Sequence, residues 1–152
     1  MSYRPAVAGI LQDRDGKILI CERSDFAGAW QFPQGGVEPG ETRRQALQRE
    51  MMEELSLPPS AYEVIAQKGP YRYLLPAERT KRGFRGQAHR YFLLRLRAPR
   101  SKIDIHCARP EFRRTRWIRP EQFRIEWLPP MKRRAYRAVL RNFFDVKLAP
   151  KK

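Results

Sequence analysis

The elements readable along the 152 residues come in mixed order, which predicts an α/β or α+β domain with helices covering a sheet. Three observations carry that expectation. Short apolar runs are bounded by turn residues. Two longer stretches place apolar residues at helical spacing. The length suits one domain with its own core, residues 1–152, and no repeat, low-complexity run or Gly/Ser linker divides it.

Ala6–Gln12 and Lys17–Cys21 are apolar runs separated by Asp13-Arg14-Asp15-Gly16, the composition of a β-hairpin with an Asp-Gly turn. Residues 30–36, Trp-Gln-Phe-Pro-Gln-Gly-Gly, read as a short strand running into a glycine turn. A helix is expected over residues 42–56. Thr42 with Gln45 three residues later is a capping box, and Pro58-Pro59 stops the helix. Strands are expected at Tyr62–Gln67 and Tyr71–Leu75, with a charged loop over Glu78–Gly86. Tyr91–Leu96 has the pattern of a buried strand, and Arg114–Ile118 of another. Pro120–Phe123 begins a short helix. Pro130–Phe144 is a helix, with Ala135, Val139 and Phe143 on one face.

The helix over 42–56 carries most of the chemical information. Leu47, Met51 and Leu55 recur at i, i+4, i+8 and form an apolar stripe for a core. Beside it, at about 100° per residue, Glu53 lies about 60° to one side of Glu50 and Glu54 about 40° to the other. Three carboxylates therefore share a narrow arc and repel one another when unpaired. A solvated acidic face is the ordinary explanation of such a run. Following directly on Gly35-Gly36, the trio instead suits a hard divalent cation, for which oxygen donors are the preferred ligands.

The net charge of +16 is unevenly distributed. Residues 1–70 hold 8 Lys/Arg and 10 Asp/Glu, a net of −2; residues 71–152 hold 24 and 6, a net of +18. An acidic half that carries the candidate metal site, surrounded by a basic half, suits a polyanion whose reacting phosphates need a metal and whose remainder needs cations. Arg outnumbers Lys 24 to 8, which favours bidentate phosphate contacts. No long apolar run suggests a membrane span or signal peptide, so a cytoplasmic protein is expected. Cys21 and Cys107 have no metal-ligand spacing and are expected to be reduced, and His89 and His106 stand apart, which does not support a histidine metal site.

The segment from Gly35 to Leu57 resembles the Nudix box, G-x5-E-x7-R-E-U-x-E-E-x-G-U with U aliphatic, filled by Gly35, Glu41, Arg49, Glu50, Met51, Glu53, Glu54 and Leu57. Ser56 stands where the box has its last glycine, a left-handed helix cap that costs a serine about 1 kcal/mol. The resemblance implies an α/β/α sandwich around a mixed sheet. It also implies hydrolysis of phosphoanhydrides with two or more Mg²⁺ or Mn²⁺ ions held by Glu50, Glu53 and Glu54. One of these carboxylates, or one beyond the box, acts as base. By the same resemblance Arg49 orients a box glutamate, Glu41 holds Arg49 or a metal water, and Gly35 and Gly36 let backbone approach a ligand.

From Tyr3 to about Phe144 the chain also resembles the bacterial RNA pyrophosphohydrolase and dinucleoside polyphosphate hydrolase subfamily. The likeness rests on Tyr3-Arg4-Pro5, residues 30–36, Tyr71-Arg72-Tyr73-Leu74-Leu75-Pro76, Gly86-Gln87, Tyr91-Phe92-Leu93-Leu94, Pro110-Glu111-Phe112 and Trp117. It implies that Glu111 is a further metal ligand and that Arg23, Tyr73, Gln87 and Lys132 contact substrate. Met131 stands in place of a stacking aromatic, and Ala29 in place of a small polar residue. The basic stretches Arg79-Thr80-Lys81-Arg82 with Arg85, and Lys132-Arg133-Arg134, together with Phe84, Tyr91 and Trp117, suit guidance of a single strand. The expected substrate is the 5′-triphosphate (or diphosphate) end of RNA. A dinucleoside polyphosphate such as diadenosine tetraphosphate is the close rival. A basic RNA-binding module without catalysis is the alternative of another class, and it leaves the four glutamates unexplained.

Overall fold

The fold is organised by β1 (Tyr3–Gln12), whose alternate residues face opposite layers. Val7 and Leu11 point to one core, Ala8 and Ile10 to another. β2 (Ile18–Arg23) repeats this, with Leu19 and Cys21 on the first side and Ile18 and Ile20 on the second. Such near-continuous apolar runs belong to strands covered on both faces. The computed structural model describes residues 2–76, 83–107 and 110–148, and most of the charged 78–86 loop lies outside them.

The remaining strands are β3 (Trp30–Gln31), β4 (Gln34–Gly36), β5 (Tyr62–Leu74), β6 (Gly86–Leu96) and β7 (Phe112–Ile118). They form a mixed sheet in the order β3-β2-β1-β6-β5, with β4 added to β1 and β7 to β2. β1 and β6 run parallel from Tyr3↔Gly86 to Gln12↔Arg95; the other pairs are antiparallel. Helix α1 (Arg43–Leu55) covers one face and α2 (Pro130–Phe144) the other, as the α/β/α expectation requires.

Helix α1 starts and stops as its sequence dictates. Thr42 accepts from Gln45 N at 3.1 Å and Gln45 Oε1 accepts from Thr42 N at 2.9 Å, closing the capping box. Ser56 ends the helix at φ 60, the left-handed cap that glycine takes at no cost. Leu47, Met51 and Leu55 are fully buried, worth about 1.5–3 kcal/mol each. Gly9 of β1 makes room for them, since a Cβ there would meet Met51 Sδ at 3.0 Å.

Three expectations are corrected. The turn between β1 and β2 forms, with Asp13 Oδ1 accepting from Asp15 N and Lys17 N at 2.9 Å, but the two strands share only the pair Gln12↔Ile18. They fork because β4 takes the place beside β1 at Ala6–Ala8 while β7 and β3 take β2. The two strands expected at 62–75 are one, β5, irregular between Val64 and Ala66 and between Lys68 and Tyr71. Its position at the end of the sheet tolerates Pro70, which has no N–H to pair. Pro120–Gln122 is a single 3₁₀ turn rather than the start of an α-helix.

Candidate active site

Helix α1 presents its carboxylates toward β4. Gly35 is where they come closest: a Cβ at this position would lie 2.1 Å from the Glu50 carboxyl carbon. At Gly36 a Cβ would lie 2.3 Å from the Arg4 guanidinium. The space that these glycines leave is therefore filled by the protein's own charged groups, Glu50 and Arg4, rather than left open for a ligand.

Arg49 fastens this arrangement. Its Nε and Nη2 donate to the two Glu41 oxygens at 2.7 and 2.9 Å, its Nη1 to Glu50 at 2.7 Å, and its Nη2 also to Gly36 O at 2.8 Å. The planar fork binds helix, glycine strand and the loop before the helix at once, which a lysine cannot do. Arg49 holds the Glu41 carboxyl down at about 2, and Glu41 in turn raises the Arg49 pKa.

The four predicted ligands sit in different environments. Glu54 is buried, Glu50 nearly so, and Glu53 and Glu111 are exposed. Burial, then a hydrogen bond and the charge of Glu50, then the charge of Glu111 push the Glu54 pKa well above the carboxylate range; only the Gln34 amide, 3.3 Å away, opposes them. Among the described residues no three His, Cys, Asp or Glu side chains form a ready-made metal cage. The donor set nevertheless fits a hard divalent cation. Glu50, Glu54 and Glu111 share one field, and among the described residues no cationic side chain offsets the charge of Glu54.

A second cluster lies where β2, β5, β6 and α2 meet. Tyr73 and Gln87 are ladder partners, and the Tyr73 hydroxyl donates to Gln87 Oε1 at 2.5 Å. Lys132 is buried with its Nζ 5.8 Å from the Tyr73 ring centre. Arg23 is held by Asp25 through two bonds of 2.9 and 2.6 Å, and its charge reaches Tyr73, whose hydroxyl burial makes harder to ionise. The four predicted substrate residues are thus brought together. Ser24 ties this cluster to the carboxylates by donating from N and Oγ to Glu111 O at 2.9 and 3.0 Å. Next to Arg23 opens a cleft of about 520 Å³ lined by Phe26, Ala29, Trp127, Pro129 and Arg133 among others.

Two residues of the site escaped the sequence reading. His89 is not isolated. It stacks on Tyr73 with ring centres 5.4 Å apart, its Nδ1 is buried without a hydrogen-bond partner among the described residues, and burial followed by the Lys132 charge pushes its pKa down to about 3. Its signal is strand register: Gln87 and His89 are two apart and share a face. Arg4, quoted only as part of a sequence likeness, lies over Gly36 and 3.8 Å from Glu38. One expectation fails. Tyr91 is a core residue stacked edge-on to Phe32 and Tyr136 and is not available to a nucleic acid strand. Trp117 packs on the α1 side with Arg100 4.6 Å above its ring. Residues 79–82 lie outside the described residues, and Arg133 is engaged with Leu128 O at 3.0 Å. Both cysteines are free, as expected.

An arginine thus clamps the carboxylate helix to a glycine strand, on a mixed sheet between two helices. The NUDIX domain model matches residues 2–143, and the chain belongs to that family as a Nudix pyrophosphohydrolase. It is 36% identical to the RNA pyrophosphohydrolase of Erythrobacter litoralis and 39% identical to that of Roseobacter denitrificans, each across 94% of this chain and 92% of the relative. Among solved structures it is similar to the E. coli dihydroneopterin triphosphate pyrophosphohydrolase, with a TM-score of 0.68 and 21% identity over 93% of this chain and 99% of that one; this likeness shows the fold.

Proposed function

We propose that the protein removes pyrophosphate from the 5′-triphosphate end of RNA, leaving a 5′-monophosphate, with Mg²⁺ or Mn²⁺ held by Glu50, Glu53, Glu54 and Glu111. The observation that carries this reading is the joining of two clusters through the end of β2, carboxylates on one side and Arg23, Tyr73, Gln87 and Lys132 on the other. The relatives named RNA pyrophosphohydrolase support the choice of substrate. The +18 half supports it too, since a strand of phosphates calls for more cations than a dinucleotide. The reading places the enzyme in the cytoplasm.

Bound divalent ions supply charge neutralisation at the phosphates and a lowered pKa for water. Arg49 is engaged by Glu41, Glu50 and the Gly36 carbonyl and acts as a positioning residue. It holds Glu50 in place and keeps Glu41 ionised, so the carboxylate constellation is set before substrate arrives. Lys132 and Arg23 bring positive charge to the phosphates at the open end of the cluster. Tyr73, locked by Gln87 and backed by His89, forms its wall. His89 stays neutral at physiological pH and adds no competing charge.

The test is hydrolysis, with Mg²⁺, of a short 5′-triphosphate RNA and of diadenosine tetraphosphate, with kcat/KM measured at two salt concentrations. A large, salt-sensitive preference for RNA is expected. Preference for the dinucleotide with little salt dependence overturns the substrate assignment. In Glu53→Gln the loss of several kcal/mol of transition-state stabilisation lowers turnover by about 10²–10⁴-fold. RNA binding persists, which separates catalysis from a pure binding role.

A further inference from the structure

Taking the RNA reading as its basis, we propose that β7 carries a track for the phosphodiester backbone of the RNA beyond its reacting end, formed by Arg113, Arg114 and Arg116.

β7 begins directly after Glu111 and pairs with β2 alone, so its outer edge is open among the described residues. Phe112 is the ladder partner of Arg23 and Arg114 that of Glu22, so the row starts at the candidate site and leads away from it. All three arginines are exposed. Arg114 and Arg116 are two residues apart, share a face, and hold their guanidinium carbons 5.4 and 5.2 Å from the Trp30 ring centre. Stacking on an indole restricts a guanidinium and leaves its N–H fork in plane for a phosphate.

A buried carboxylate aligns the row from behind. Glu22 is 2% exposed, takes Gly28 N at 2.7 Å and Arg114 Nε at 2.5 Å, and lies 3.9 Å from Arg113. Ion pairs of this kind add little to stability. Here the pair orients Arg114 through Nε and leaves its terminal Nη groups for an incoming anion. One negative charge offsets three positive ones, and no acidic partner of Arg116 stands among the described residues. Trp30 itself is buried, so the track offers charge without base stacking, and contact to the backbone is independent of sequence. From Glu111 to Arg116 the strand advances about 17 Å, which a stacked single strand rising about 3.4 Å per nucleotide crosses in about five nucleotides.

The experiment compares wild type with Arg113→Gln/Arg116→Gln, which keeps Arg114 so that Glu22 retains its partner. Substrates are 5′-triphosphate RNAs of two and ten nucleotides. For the dinucleotide, kcat/KM is expected to stay within about twofold. For the ten-mer it falls about 5–10-fold through KM, and the salt slope drops by about 1.4, at about 0.7 per phosphate contact. An Arg137→Gln/Arg141→Gln variant, which removes the same charge from α2, leaves the ten-mer unaffected. Equal losses on both RNA lengths, or the same loss in the α2 variant, overturn the track. A fluorescent ten-nucleotide RNA with a 5′-hydroxyl end separates this inference from the reaction on which it rests. Weaker binding by the β7 variant upholds the track even where wild type fails to hydrolyse RNA triphosphates. Unchanged binding overturns it, and leaves the face to an acidic protein.

Discussion

Replacing Gly35 by alanine separates the chemistry of the site from the stability of the fold. The added Cβ would lie 2.1 Å from the Glu50 carboxyl carbon and Oε1, where ordinary contact begins at 3.4 Å, so the carboxyl must retreat by about 1.3 Å. The obstacle is the far end of a flexible side chain, and the Gly35 backbone does not need positive φ, so the fold can yield there. The retreat breaks the 2.7 Å bond from Arg49, worth about 1 kcal/mol for a partly exposed pair. Alanine returns about 0.4–1 kcal/mol by restricting the unfolded chain. The two nearly cancel, and the melting temperature should change by less than about 4 °C. With Glu50 a metal ligand, as proposed, activity should not be spared, because displacing such a group by about 1 Å costs about 10²-fold, or about 2.7 kcal/mol. Melting curves and kcat/KM on a 5′-triphosphate RNA decide the matter. A variant that folds as wild type and keeps kcat/KM within about threefold would refute the claim that the position of Glu50 sets the rate.

Glu54→Gln tests the fit of the carboxylates to a cation without measuring turnover. The folded-state pKa of Glu54 is raised, so its contribution is most favourable below the unfolded value of about 4.3 and is lost as pH rises toward the folded one. Without divalent ions the variant should therefore melt above wild type at pH 8, by at least about 2 °C, with the gap closing toward pH 5; adding Mg²⁺ should raise the melting temperature of wild type more than that of the variant. Ser56→Gly relieves a left-handed serine at the end of α1 but loses the 3.0 Å bond from Ser56 Oγ to Asp104 O, so stability in denaturant titration should change by less than about 1 kcal/mol and kcat/KM should be unchanged.

What the sequence revealed and what it hid divide along the range of the interactions. The cap, apolar stripe and acidic arc of α1 are local periodicities, and each is present in the structure. The Asp13 turn is local too and was readable, whereas the forking of β1 from β2 depends on β4 and β7 competing for their edges, which no window of neighbouring residues encodes. Tyr73, expected as a substrate contact, is also part of the packing. Its ring is buried on His89 and its hydroxyl meets Gln87. His89 looked isolated because its partners come from β5 and α2. The room at Gly35 and Gly36 was anticipated, but not that Glu50 and Arg4 would occupy it.

The fork in the sheet also bears on when the site can come into being. Glu22 meets Arg114 across 92 residues, and Phe32 N meets the Tyr136 hydroxyl across 104. Contacts of such separation form late, because the entropy of closing the long loop must be met before they contribute anything. Helix α1 and its capping box can form from local contacts early, but Phe112, the ladder partner of Arg23, arrives only with β7, and Lys132 only with α2. A chain emerging from N to C terminus thus holds the carboxylate helix well before β7 and α2 close the pocket beside it.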